Sequence, residues 1–401
     1  MIKQKIVKYL MLITIAVLTF NLQFAQDKFS ESQKIMIPEH SNYSYFGSSV
    51  AVSENYLVAG ASRADGDLGA AYIFELKEGK WKQVVKLVAD ERVPDSKFGC
   101  SVAISGDRVV VGANAANTTG CAYVFEKAGD KWTQKALLKA DNGKANDKFG
   151  GNVSISGDYI IISAHDTDLK GISNAGVAYI FEKEENDWQQ KVKLETENIN
   201  KNSNFGWAVS ISGNWAAVGG ARVSAAGKEF AGAVSLYERE NGKWVLRKTL
   251  ISENPVEEGQ FGHSVSISDD KLIVGAWYET VDGKTNAGAA YIYEKENSDW
   301  ILKARLTAAD TKTFGEAVKI SGDYALIGSD DNDRKYIGNA YLFKKENGKW
   351  MQLQKIYDSK GNKHDYTAKS VALKENFAIL GAVGADNGKV KNCGAVYIFK
   401  K

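Results

Sequence analysis

The chain has 401 residues, 44% of them hydrophobic and 25% charged, with a formal charge of +2. That composition is ordinary for a globular protein with a large core, and it excludes a disordered or low-complexity chain. So small a net charge gives no electrostatic basis for binding nucleic acid or an anionic membrane surface.

The chain opens on a leader. Lys3, Lys5 and Lys8 precede an apolar run from Tyr9 to Phe20, and Ala25 stands before Gln26. A basic start, a short apolar stretch and a small residue form the layout of a secretory signal peptide over residues 1–25. The apolar run is too short for a membrane span. Its removal takes away three lysines and no acids, leaving a formal charge of −1. The expected location is periplasmic, cell-surface or secreted.

Next comes Phe29 to Ile35, a short strand-like run whose role emerges only from the rest of the chain. Beyond it one segment recurs. Copies of Phe46-Gly47-Ser48-Ser49-Val50-Ala51-Val52-Ser53 begin at Phe46, Phe98, Phe149, Phe205, Phe261 and Phe314, with a worn one at Thr367, at steps of 51 to 56 residues. A period near 50 marks one supersecondary unit, copied until its neighbours bury it.

The second copy shows the unit's anatomy. Phe98 to Ser105 forms a first strand, and Gly106-Asp107 turns the chain. Arg108 to Ala113, with Val109-Val110-Val111, is the β-branched run expected of a strand buried on both faces. Cys121 to Glu126 is the third strand, and Trp132 opens a fourth that ends at Leu138. Four short antiparallel strands per unit predict an all-β, seven-bladed propeller filling residues 26–401 as one domain.

Trp81, Trp132, Trp188, Trp244, Trp300 and Trp350 form one column of the repeat. They are expected to pack between blades, so that Trp132→Ala costs about 3–5 kcal/mol. Tyr72, Tyr123, Tyr179, Tyr291, Tyr341 and Tyr397 are read as packing residues too. The last copy reaches Lys401 after its third strand. Phe29 stands 17 residues before Phe46, the spacing that separates Trp81, Trp132, Trp188 and Trp244 from the next Phe. The strand at 29–37 is therefore predicted to complete the last blade and close the ring.

These residues resemble the FG-GAP repeat family, which builds the propeller of integrin α subunits and of many exported bacterial proteins. The resemblance rests on Phe-Gly at each first strand and Gly-Ala at 60–61, 112–113 and 275–276. A second Gly precedes each third strand, as in Gly69-Ala70, Gly288-Ala289 and Gly394-Ala395. It covers residues 29 to 401, and it implies a propeller and a binding or adhesion role. Many integrin-like repeats also carry an Asp-x-Asp-x-Asp-Gly calcium loop, and no such run stands here. The nearest pieces are Asp166 with Asp168, then Asp330, Asp331 and Asp333, then Asp65 with Asp67. They are the candidate Ca²⁺ ligands, weighed against ordinary turn residues.

Alternating strand direction puts the two-to-three and four-to-one loops on one face. These loops vary between copies, whereas the turns on the opposite face are short and uniform. A rigid scaffold presenting variable loops is a common design for a binding surface. Trp207, His263, Glu316 and Lys369 are the odd members of a column otherwise made of Ser48, Cys100 and Gly151. Strand one lies innermost in a propeller, so these side chains are expected at the mouth of the central channel. Trp277 and Tyr278 follow Gly275-Ala276 on the same face. Trp207, His263, Trp277, Tyr278 and Glu316 are the candidate ligand-binding residues, weighed against simple filling of the channel mouth.

Cys100, Cys121 and Cys393 are too few for a disulfide framework and are expected as free thiols. His40, His165, His263 and His364 show no metal-ligand spacing, and no Gly-x-Ser-x-Gly elbow is present. The leading expectation is an exported, monomeric, non-catalytic module that binds an extracellular protein or glycan. The alternative is a carbohydrate-active lyase or hydrolase with a site on the same face.

Overall fold

Seven antiparallel four-stranded sheets stand in a ring, forming a seven-bladed β-propeller. The structure is a computed structural model that describes residues 28–37, 41–329, 338–358, 361, 362 and 364–401. Residues 1–25, read from the sequence as a leader, and the candidate calcium ligands Asp330, Asp331 and Asp333 lie outside the described residues. Among the described residues, no helix is long and apolar enough to cross a membrane.

Blade one runs β2 (Phe46–Val52), β3 (Tyr56–Ala61), β4 (Ala70–Lys77) and β5 (Lys80–Leu87), paired in that order. The second strand, Tyr-Leu-Val-Ala-Gly-Ala in β3, is buried along its whole length. Blades two to six repeat the pattern over residues 101–138, 153–194, 208–250, 261–306 and 314–356. The seventh is composite. Its inner strands are β26 (Thr367–Lys374), β27 (Phe377–Ala382) and β28 (Ala395–Lys400), and its outer strand is β1 (Ser30–Ile35). Ile35 pairs with Val396 and Ser30 with Lys400, so the two ends of the chain share one sheet.

Phe-Gly and Gly-Ala hold neighbouring blades together. Gly47 sits at φ +85°, which lets the chain leave the buried Phe46 and enter the inner strand. A Cβ added to Gly60 would stand 1.9 Å from the Gly99 carbonyl oxygen of the next blade, and one on Gly381 would stand 2.0 Å from Gly47. Only glycine permits that approach. Ser370 Oγ donates to the Gly47 carbonyl at 2.8 Å, and Phe46 N–H donates to Cys393 at 3.0 Å. The contact between blades seven and one is thus built like the others.

The core lies between the sheets. Each hydrophobic cluster draws on two adjacent blades: Phe46, Leu57 and Trp81 pack with Ile379, Val396 and Ile398 across the join. Trp300 meets Trp215 of the preceding blade edge-on at 5.3 Å, and Trp81 meets Phe377 at 5.4 Å. Five of the six column tryptophans are buried, but Trp132 is only partly so, contrary to the expectation that made it the representative of the column. First strands also differ from the prediction in where they start. In blades two, three and four the ladder begins after Phe-Gly, at Ser101, Val153 and Ala208. All three cysteines are free, and burial raises each thiol above its ordinary value.

Candidate functional site

The inner strands of the seven blades surround an axial channel, whose mouth on the variable-loop face is a cavity of about 380 Å³. Trp207, His263, Trp277, Glu316 and Lys369 all line it. Trp207, His263, Glu316 and Lys369 occupy one repeat position at the entry to the inner strands of blades four to seven, immediately after Phe-Gly or, in blade seven, Thr-Ala. Trp277 arrives from the loop after the second strand of blade five. Sequence-predicted candidates from two different columns therefore share one cavity.

Aromatic rings form a continuous row there. Trp277 stacks on His263 at 4.1 Å and 14°, and Tyr278 stacks on the other side of the series at 4.0 Å and 12° from Trp277. Trp207 lies 5.8 Å from His263 and 5.2 Å from His165. Gln260 Oε1 accepts the Trp277 indole N–H at 2.8 Å, fixing that ring. Trp207 remains 38% exposed, an unusual state for a tryptophan beside a cavity. His165 was not among the predicted site residues. It occupies the same repeat position as Trp277, directly after Ser163-Ala164, and that shared column was the available signal.

The charges at the mouth are few. Lys369 Nζ and Glu316 Oε1 form an ion pair at 2.5 Å, with the Glu316 side chain 5% exposed. His263 Nδ1 has no hydrogen-bond partner among the described residues. Burial, aided by the positive charges of Lys369 and Arg222, pushes its imidazole down to about 3. His263 is therefore neutral at ordinary pH and offers the site a stacking face and one lone pair.

The acidic candidates behave as structural residues where they are described. Asp166 accepts from the Asn204 amide at 2.9 Å, and Asp168 accepts from the Asn174 backbone N–H at 2.9 Å. Asp65 is held by Lys86 at 2.9 Å and Arg92 at 2.7 Å. Among the described residues, no group of three His, Cys, Asp or Glu side chains is placed to hold a metal ion.

A closed ring of seven blades, with a cavity at the hub of its variable-loop face, defines the chain as a β-propeller. A family model for the FG-GAP repeat matches residues 29–74, 81–125, 132–181, 188–237, 244–293, 300–343 and 350–399. The chain belongs to the FG-GAP repeat family. Each match opens on the column that holds the tryptophans, and the first opens on Phe29. No curated protein matches the chain.

Proposed function

We propose that the protein is an exported, monomeric, non-catalytic binding module that recognises an extracellular glycan or protein through its variable-loop face. The observation that carries this reading is the exposed Trp207 beside the stacked His263 and Trp277, all lining one cavity, with Tyr278 stacked on Trp277. Flat aromatic faces with a few polar groups between them suit the C–H face of a sugar ring or an apolar side chain. The leader at 1–25 supports export.

Catalysis has less support. Glycoside hydrolysis by paired carboxylates needs two of them across the scissile bond. The mouth cavity is lined by one, Glu316, and it is in an ion pair. The test applies the full chain to a glycan array and to a surface-protein pull-down, beside Trp207→Ala and Trp277→Ala. The reading expects a bound ligand whose capture falls in both variants while their melts stay close to that of the wild type. An empty array and pull-down, with turnover in a hydrolase or lyase screen, would replace it with the enzyme.

A further inference from the structure

Below the mouth, the channel narrows to a second cavity of about 160 Å³, walled by the inner strands of the blades. One residue per blade forms a ring there: Ala51, Ala103, Ser154, Ser210, Ser266, Lys319 and Ala372. Six members are small. The seventh, Lys319, is the only one that also lines the mouth cavity. Its side chain therefore spans the two spaces.

Lys319 has no ion pair and no side-chain hydrogen bond among the described residues. The mouth's carboxylate, Glu316, is held by Lys369. Burial lowers the Lys319 ammonium from its ordinary value, and no neighbouring carboxylate offsets it. An ammonium withdrawn from bulk water without a counter-charge is costly, and a bound anion relieves that cost.

The three serines of the ring add donors. Ser154 Oγ accepts the Ile211 N–H at 3.2 Å, Ser210 Oγ that of Ile267 at 3.0 Å, and Ser266 Oγ that of Ile320 at 3.4 Å. Each hydroxyl spends a lone pair on the next blade and keeps its own O–H to donate. The lysine ammonium and the serine hydroxyls make a donor set for an oxyanion, and no carboxylate side chain lines the lower cavity.

We propose that the axial channel is an oxyanion site centred on Lys319, and that its ligand is the carboxylate or sulfate group of an acidic sugar residue. The sugar ring would lie against Trp207, His263 and Trp277 above, with its acidic substituent directed inward. This deepens the binding reading and rests on it for the sugar, while the oxyanion site stands on the channel alone.

The experiment titrates the full chain by calorimetry at constant ionic strength, with sulfate, glucuronate, glucose and a short polyaspartate peptide as separate probes. The site predicts that sulfate and glucuronate bind the wild type, glucuronate more tightly than glucose. Lys319→Met should weaken both anions by about tenfold or more, the loss expected for one charged hydrogen bond. Lys319→Gln serves if the methionine variant fails to fold. No sulfate binding, or equal sulfate affinity in wild type and variant, overturns the oxyanion site. Glucuronate no tighter than glucose, or weaker than polyaspartate, overturns the acidic sugar. Glucuronate binding that Lys319→Met weakens but Trp207→Ala and Trp277→Ala leave unchanged keeps the oxyanion site and removes the aromatic reading.

Discussion

The ring of Phe29 meets that of Tyr324 edge-on, 5.9 Å away and inclined by 65°. This repeats the contact of Trp81 with Phe377 and of Trp300 with Trp215, so a phenylalanine near the start of the chain does for blade seven what tryptophan does elsewhere. The amide of Gln354 clamps the same residue, accepting from Phe29 N–H at 3.0 Å and donating to its carbonyl at 2.7 Å. Phe29→Ala should cost about 3–5 kcal/mol, the usual range for emptying a buried aromatic site. Deleting residues 28–37 also leaves the outer edge of β28 unpaired, an invitation to intermolecular pairing. Urea denaturation and size-exclusion chromatography would show a lower midpoint and higher-order species. An unaltered midpoint and a monomer peak would refute closure through β1.

Tryptophans of the column should not be equivalent. Trp300 is 2% exposed and sits in the cluster between blades four and five, whereas Trp132 is only partly buried against Tyr56. Trp300→Ala is expected to lose about 3–5 kcal/mol and Trp132→Ala clearly less, since less surface returns to water. Matched urea titrations of the two variants decide it. Equal losses would mean that exposure does not rank these sites.

Much of this architecture was legible because the repeat aligns each residue with its counterparts. Phe29 declared its blade through a spacing, and Trp207, His263 and Glu316 stood out as departures from a column of small residues. Contacts between different columns were less legible. Glu126 pairs with Lys183, Glu182 with Arg239 and Glu294 with Lys345, each across a blade boundary. Which column faces which depends on how far neighbouring sheets are rotated and offset, and a list of aligned residues does not contain that. His165 shares the column of Trp277 and could have been singled out there, but its contact with Trp207, in another column, shows only in the structure. Lys319 likewise gains meaning only when seven strands close around one axis.

The strongest of these cross-blade pairs is open to a double-mutant cycle. Arg239 donates to both carboxylate oxygens of Glu182 at 2.9 and 3.1 Å, and the Trp244 indole N–H adds a third bond at 3.1 Å. Burial pushes the Glu182 carboxyl up, but the bonds from Arg239 and Trp244 outweigh it and hold it below its ordinary value. Arg239→Ala strands this carboxylate and should cost toward the lower end of about 3–5 kcal/mol, because the guanidinium itself is partly exposed. Arg239→Lys should cost less, as lysine fills the equivalent position at Lys183, Lys295 and Lys345. The cycle with Glu182→Gln, read by denaturant unfolding, should return a favourable coupling. Additive losses would mean that the pair contributes nothing.

Acid should destabilise the channel mouth through His263. A free imidazole titrates near 6.5, and burial with Lys369 and Arg222 holds the folded one at about 3. Between those values the unfolded chain binds a proton that the folded chain refuses, so stability rises with pH. The contribution is complete above about pH 6.5 and erodes as pH falls toward 3, by about 1.4 kcal/mol per unit while His263 is the group titrating. His165 is displaced in the same direction, chiefly by burial, and adds to the slope. Glu182 acts lower down: its stabilisation is lost as pH falls below the ordinary glutamate range. The window from pH 6.5 to 5 therefore lies above the loss from Glu182. Comparison with each histidine variant separates the imidazoles from Asp147 and Asp365, whose carboxyls burial pushes up. Over it, His263→Gln should flatten the dependence of unfolding free energy on pH, and His165→Gln should remove part of what remains. A slope in His263→Gln equal to that of the wild type would mean that this imidazole is protonated, and hydrated, in the folded mouth.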